Sequence, residues 1–364
     1  MDSVRIPATI DEVDSAWLET AVREHCAVAA PRIDSFAVEK VGVGVGFMGY
    51  LYRVTIDYGG AAHDGPRQVI VKLPVEHDVT RQVARSYRFY EKEVQFYNTL
   101  GSETPLNPPV AYAAIHDVES DDFVLVVEDL GHLRTTDQLA GCSPDDAALA
   151  VAALARHHAA FWNDPRFDSP DLAWLPLYCD PPTPEGVVQT FADCWPRFLE
   201  VFGDEIGPEI RRVGEWVPTQ ARALLTPLAG HPLTLTHGDF RMDNLFFHDD
   251  GAVSAIDWQI CAKGPGGYDF AYFVSQSLTI DDRRAQWDRL AAIYLDTLAA
   301  AGAVYPPDQF WLDVKRTLLF CLVYPVQVAS LDLSDPHSLE LLLEIGARAM
   351  SAILECDTLA LIEA

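Results

Sequence analysis

The run His237-Gly238-Asp239-Phe240-Arg241-Met242-Asp243-Asn244 gathers an imidazole, two carboxylates, a guanidinium and an amide into one short segment. Thr234-Leu235-Thr236 leads into it as a strand, and farther on Ala255-Ile256-Asp257-Trp258 sets another acid at the end of a second short strand. Phosphoryl transfer needs little more: a carboxylate at the acceptor hydroxyl, and oxygen ligands for magnesium. Asp239 can be the first, and Asn244 and Asp257 can be the second. The spacing of Asp239 and Asn244 fits a loop that returns its amide to the same cleft. Either acid alone reads more readily as turn chemistry in a hairpin than as catalysis; their combination points to a kinase. Arg241 is expected to neutralise charge on the transferred phosphate through its planar fork. The alternative for Arg241 is a surface pair with Asp243.

A second pair lies upstream. Val69-Ile70-Val71-Lys72-Leu73 is an apolar strand carrying one lysine. A helix is expected over residues 80–100, closed by Gly101. On its wheel Val83, Tyr87, Phe89, Tyr90, Val94, Phe96, Tyr97 and Leu100 fill one arc, with Glu93 in the middle. Glu91 falls outside it, beside Lys92, Arg85, Arg88 and Gln95. A carboxylate on a buried face needs a partner. Lys72 is the natural one, and such a pair aims the lysine at nucleotide phosphates. The alternative is that Glu93 reaches the surface.

Gly44-Val45-Gly46-Phe47-Met48-Gly49 matches G-x-G-x-x-G. A dinucleotide-binding fold needs a helix to start inside that motif. Here residues 50–58 alternate like a strand. Strand, glycine turn, strand is the layout of a flap over nucleotide phosphates, and equally of a plain hairpin.

These groups need elements to hold them. Strands are expected at 38–45, 50–58, 68–73, 111–116 and 123–127, with the one helix among them. Glu128-Asp129-Leu130-Gly131 then breaks the pattern, dividing a β-rich part, 1–130, from a helical part, 131–364. Ser143-Pro144-Asp145-Asp146 starts a helix running to about residue 162. Further helices are expected at 190–202, 208–225, 282–301, 307–330 and 338–361. Two short strands, 246–247 and 252–256, flank a turn.

The chain has 364 residues and a formal charge of -28. Such an acidic surface excludes nucleic acid and anionic membrane as partners. Seven scattered cysteines show no zinc or redox spacing and read as reduced thiols of a cytoplasmic protein. The start of the chain does not read as a signal peptide. No apolar stretch reaches the roughly 20 residues of a membrane span.

At the catalytic run the resemblance is plain. It resembles the H-G-D-x-x-x-x-N loop of the aminoglycoside phosphotransferase and choline kinase superfamily, which is related to protein kinases. Ile256-Asp257-Trp258 resembles that family's metal-binding I-D-[FW] segment. The stretch from Gly264 to Phe273, with Asp269-Phe270-Ala271, resembles its G-x-x-x-x-D-[LF]-A segment. Leu125-Val126-Val127-Glu128-Asp129-Leu130 is similar to its adenine-binding hinge, and Glu93-Val94-Gln95-Phe96-Tyr97 resembles the E-x-x-F-Y of its ecdysteroid-kinase-like branch. The resemblance implies an α+β, bilobal protein-kinase-like fold. It implies ATP and Mg2+ as cofactors, with Gly44, Gly46, Gly49, Lys72, Glu93, Glu128, Asp129 and Leu130 at the nucleotide, and Asn244 and Asp257 at the metal. Asp239 would act on the acceptor hydroxyl, His237 would brace the loop, and Asp269 would cap its backbone N–H groups. Gly238 stands where many regulated protein kinases carry an Arg that reads an activating phosphate, so no such phosphorylation is expected.

The acceptor is expected to be a small-molecule alcohol with an apolar body, such as a steroid, terpenoid or acyl chain. Trp162, Trp174, Tyr178, Trp195 and Tyr268 can line its pocket, or equally can be core. His157 and His158 read as core histidines rather than metal ligands. The alternatives are an aminoglycoside, choline or sugar kinase of the same fold, or a non-catalytic nucleotide-binding protein.

Overall fold

The computed structural model describes residues 5–26, 32–42, 48–60 and 65–363. Two compact units divide the chain: Met1–Arg134 with Ile256–Ile260, and Thr135–Ala255 with Cys261–Ala364. Among the described residues, no helix is long and apolar enough to cross a membrane.

The first unit contains α1 (Ser15–Val22), β1 (Ser35–Val41), β2 (Gly49–Asp57), β3 (Gln68–Pro74), α2 (Asp78–Ser86), α3 (Phe89–Thr99), β4 (Ala111–Asp117) and β5 (Asp122–Glu128). The strands form one antiparallel sheet in the order β1-β2-β3-β5-β4. β3 is central, and alternation sends its side chains to opposite faces. Val69, Val71 and Leu73 join Val124, Val126 and the α1 residues Trp17, Leu18 and Ala21 in one core. On the other face Ile70, Leu125 and Val127 meet Tyr90 and Val94 of α3. Lys72 has the parity of Ile70, so β3 delivers it to the α3 side.

Two expectations change here. Among the described residues the unit has three α-helices where one was expected; α1 opens with Asp14 accepting the Trp17 N–H at 2.8 Å. The helix expected over 80–100 is broken into α2 and α3. Arg88 sits between them in the left-handed region, φ 56°. No Gly or Pro marks that break, and a non-Gly residue there costs about 1–2 kcal/mol. The Arg88 guanidinium grips Glu91 at 2.7 and 2.6 Å, which offsets part of that cost. The break also resets the wheel, and Lys92, expected on the polar face, is buried. Of the glycine motif, Gly44 and Gly46 lie outside the described residues.

The second unit contains α4 (Pro144–Ala160), α5 (Thr183–Phe202), α6 (Pro208–Leu225), β6 (Thr234–Thr236), β7 (Leu245–Phe247), β8 (Val253–Ala255), β9 (Ala262–Gly264), α7 (Gly267–Gln276), α8 (Ile280–Ala300), α9 (Pro307–Cys321), α10 (Val323–Val328), α11 (Pro336–Glu355) and α12 (Ala360–Glu363). β6 pairs with β9 and β7 with β8. Ser143 caps α4 through the Asp146 N–H, with Pro144 in the first turn. α5 begins earlier than expected, at a Pro182-Thr183-Pro184 start. The helices expected at 307–330 and 338–361 each divide in two, at Leu322 and after Glu355. α7 is buried at every residue and packs against α4, α8, α9 and α11. A helix apolar on most sides belongs in a core, and its Asp269 and Tyr272 face inward with it.

Candidate active site

β6 runs into the 237–244 loop, and the loop is gripped from α7. The N–H groups of His237 and Gly238 donate to Asp269 Oδ2 at 2.7 Å and Oδ1 at 2.8 Å. Gly238 has φ 86°, a conformation that favours glycine. Asp269 is fully buried, and His158 Nε2 also lies 3.0 Å from it. The other nitrogen of His158 pairs with the Tyr294 hydroxyl at 2.7 Å, so the buried acid is satisfied from several sides. His157 Nε2 donates to the Leu235 carbonyl, and burial, first, then His158 hold its pKa well below the ordinary value. Both histidines are therefore committed to structure. His237 Nδ1 accepts the Asp239 N–H at 3.2 Å.

Three side chains hold the Asp239 carboxylate. Tyr272 Oη donates to Oδ1 at 2.9 Å, Arg241 Nε to Oδ1 at 3.1 Å, and Asn244 Nδ2 to Oδ2 at 3.0 Å. Burial pushes the Asp239 pKa up, but Arg241, His237 and these hydrogen bonds outweigh it and leave it below the usual carboxylate value. Asp239 is thus an ionised acceptor of fixed orientation. Arg241 Nη1 reaches Asp243 Oδ2 and Gln138 Oε1. Asp243 in turn accepts the Gln138 N–H at 3.1 Å. Arg348, buried on α11, donates to the carbonyls of Gln138, Leu139 and Gln276. No local pattern marks Gln138 or Arg348, because their contacts are long-range.

In the first unit, Lys72 Nζ lies 2.9 and 2.8 Å from the Glu93 oxygens and 3.0 Å from Asp257 Oδ1. Burial opposes the lysine charge, yet Asp257 and Glu93 outweigh it and raise the Lys72 pKa. Burial, first, pushes Glu93 up, Lys72 pulls it down, and Asp257 adds repulsion; the result is about 7. Asp257 is itself left-handed, φ 64°, a strained conformation common at functional sites. The ring of its neighbour Trp258 stacks on Phe96 at 3.8 Å, which fastens the 256–260 segment to α3. Gly49 leaves room for the lysine stem: a Cβ there would lie 3.0 Å from Lys72 Cε.

The hinge residues divide. Glu128 ends β5, and its N–H is taken by the Val110 carbonyl. Asp129 ties Arg53 of β2 and accepts the Gly131 N–H, so its side chain is a strut. Leu130 is buried. Of the aromatics, Tyr178 and Tyr268 stack at 4.0 Å inside the core of the second unit. Trp195 packs on that core and stacks on Phe198, and Trp174 is buried with its Nε1 lacking a partner among the described residues. Trp162 meets Tyr305 edge-on at 5.2 Å.

Taken one by one, these side chains have the chemistry to bind a nucleotide or a metal. In the first unit Asp257 carries an oxygen ligand of the kind magnesium prefers, and Gln259, whose Nε2 donates to Asp257, keeps a buried amide oxygen without a partner among the described residues; in the second unit Asn244 carries another such oxygen. Among the described residues no three His, Cys, Asp or Glu side chains cluster for a metal.

The fold and these residues define a small-molecule phosphotransferase with a protein-kinase-like fold. The chain belongs to the ecdysteroid kinase-like family, whose model matches residues 43–162 and 183–303. No curated protein matches the sequence. Solved structures share the fold at low identity. A candidate aminoglycoside phosphotransferase of Ralstonia eutropha has TM-score 0.55 and 15% identity, covering 95% of this chain and 98% of its own. Choline kinase of Cryptosporidium parvum has TM-score 0.56 and 12% identity, covering 96% and 97%. An amicoumacin kinase in complex with AMP-PNP, Ca2+ and amicoumacin has TM-score 0.54 and 13% identity, covering 85% and 88%.

Proposed function

We propose that this protein moves the γ-phosphate of ATP, with Mg2+, to a hydroxyl of a small molecule that has an apolar body. The observation that carries the reading is the ionised Asp239 carboxylate, fixed by three donors and left with acceptor capacity for a hydroxyl. A depressed pKa makes it a weak base. That suits a loose transition state, in which orientation of the alcohol matters more than early removal of its proton. Lys72 is assigned to the phosphates, and Asn244 and Asp257 to the metal, which when bound would neutralise phosphate charge. Nucleotide and divalent cation are also what the amicoumacin kinase complex contains.

Arg241 has Nη2 without a hydrogen-bond partner among the described residues, while Nε and Nη1 are tethered to Asp239 and Asp243. We assign that edge to the γ-phosphate. Arg241→Ala is expected to lower kcat by about tenfold to a hundredfold while weakening ATP binding less than about threefold. An unchanged kcat removes the assignment.

An apolar acceptor is supported by the family and by Tyr272, which touches Asp239 and whose ring lies 5.0 Å from that of Tyr324. Aromatic walls with few polar groups suit such a ligand. Side-by-side turnover of a steroid alcohol, a long-chain hydroxyacyl thioester, choline and kanamycin tests the proposal. Turnover of the first two at least about tenfold above the others supports it. Activity confined to choline or kanamycin overturns the acceptor class, and ATP binding without any turnover marks a non-catalytic nucleotide-binding protein. The scattered cysteines support a cytoplasmic setting, and the charge of -28 supports a small-molecule partner over nucleic acid or membrane.

A further inference from the structure

We propose that Tyr272 is a positioning residue that selects which oxygen of Asp239 meets the acceptor hydroxyl. The proposal rests on the phosphotransferase reading. Of the three donors to the carboxylate, Arg241 and Asn244 belong to the same short loop as Asp239 and move with it. Tyr272 comes from outside, from α7, a helix buried at every residue. Three residues earlier on that helix, Asp269 binds the backbone of His237 and Gly238. Positions three apart share a helix face. One face of α7 therefore grips the loop twice, once through its backbone and once through the reacting side chain.

The phenol is itself held in place. Its ring lies 5.0 Å from Tyr324, whose hydroxyl pairs with that of Tyr268 at 2.6 Å. Tyr268 stacks on Tyr178, and the Tyr178 hydroxyl pairs with Thr236 Oγ1 at 2.7 Å. Thr236 is the last residue of β6, one step before the loop. The chain of contacts thus closes on the strand that launches Asp239. Burial, first, and then Asp239 raise the Tyr272 pKa well above its ordinary value, so the phenol stays a donor.

A carboxylate oxygen has about two acceptor sites. Oδ1 takes Tyr272 at 2.9 Å and the nearer share of the single Arg241 Nε hydrogen, at 3.1 Å, so Oδ1 is the more fully occupied oxygen. Oδ2 takes Asn244 at 3.0 Å, with Arg241 Nε more distant at 3.3 Å. Oδ2 is the oxygen left for the substrate. Without the phenol the carboxylate turns about its Cβ–Cγ bond, and either oxygen can present itself.

Tyr272→Phe keeps the ring and removes the hydroxyl. The probe is MgATP with water as acceptor, followed by release of radiolabelled phosphate. Turnover is expected to fall by about tenfold or more, with the KM for ATP within about threefold and the melting temperature within about 2 °C of wild type. Because Tyr272 acts through Asp239, the same change in an Asp239→Asn background is expected to add less than about twofold. An active wild type with Tyr272→Phe turnover within about threefold of it overturns the inference alone. A loss that repeats in full in the Asp239→Asn background, or a melting temperature lower by more than about 5 °C, reveals a merely structural role and also overturns it. A wild type that binds ATP and releases no phosphate, to water or to any acceptor offered, overturns the phosphotransferase reading and takes this inference with it.

Discussion

Asp239→Asn is expected to lower phosphate transfer by about 10²- to 10⁴-fold while the affinity for ATP stays within about threefold. The substitution keeps the shape of the side chain and removes its charge. Two consequences follow from the contacts. The hydroxyl of the acceptor loses the anion that orients it. Arg241 also loses one of its two carboxylates, keeping only Asp243. Nucleotide binding is assigned to other residues, above all Lys72 and Asp257, and so survives. Calorimetric titration of ATP beside single-turnover transfer separates the two. Transfer within about tenfold of wild type takes Asp239 away from the reacting hydroxyl.

Lys72→Met is expected to be the most damaging single change to stability, costing about 3–5 kcal/mol near pH 8. It leaves Glu93 buried beside Asp257 with no cation. The cost is expected to depend on pH, and its sign follows from Glu93. In the wild type burial holds that carboxyl up at about 7, above its ordinary value of 4.5. The folded state therefore binds the proton more tightly than the unfolded chain, and stability declines as pH rises from about 4.5 to 7. Lys72 is the influence that pulls Glu93 down. Removing it raises Glu93 further and extends the decline to higher pH. The deficit of the variant is therefore small near pH 5, where Glu93 is neutral in either folded protein, and grows toward pH 8. The raised pKa of Lys72 itself acts only at alkaline pH, outside this window. Urea unfolding at pH 5 and pH 8 measures it, and adding Glu93→Gln is expected to recover most of the loss. A deficit independent of pH would show that Glu93 does not rely on Lys72.

The 237–244 run stands out in the sequence because it packs several polar residue types into one short segment, and the structure does bring Arg241 and Asn244 onto the Asp239 carboxylate. The Lys72–Glu93 pair was legible because alternation along β3 and periodicity within α3 each hold locally. Where a pattern had to persist across a break, it failed. Nothing in the residue types at Arg88 announces a left-handed turn, so α2 and α3 read as one helix and Lys92 landed on the wrong face. α7 has no polar side for a periodicity to find, so it read as a motif without an element. Aromatic residues carry no label for core or wall; Tyr178 and Tyr268 sit in the core together with Tyr272, which also hydrogen-bonds Asp239. The pairing of β6 with β9 and the membership of 256–260 in the first unit are long-range facts that no local window contains.

That last membership bears on how the chain is made. The first unit holds Ile256–Ile260, which is synthesised more than a hundred residues after Arg134. Until then Phe96 lacks the ring of Trp258, and Lys72 lacks one of its two carboxylates. At about 5–20 residues per second the ribosome takes roughly ten seconds to cover the gap. The nascent α3 waits through that interval with Phe96 lacking this ring, while the helices up to α6 are synthesised. Completion of the first unit is thus tied to translation of the segment that carries Asp257, and a truncated product ending before residue 256 would lack both that ring and the acid.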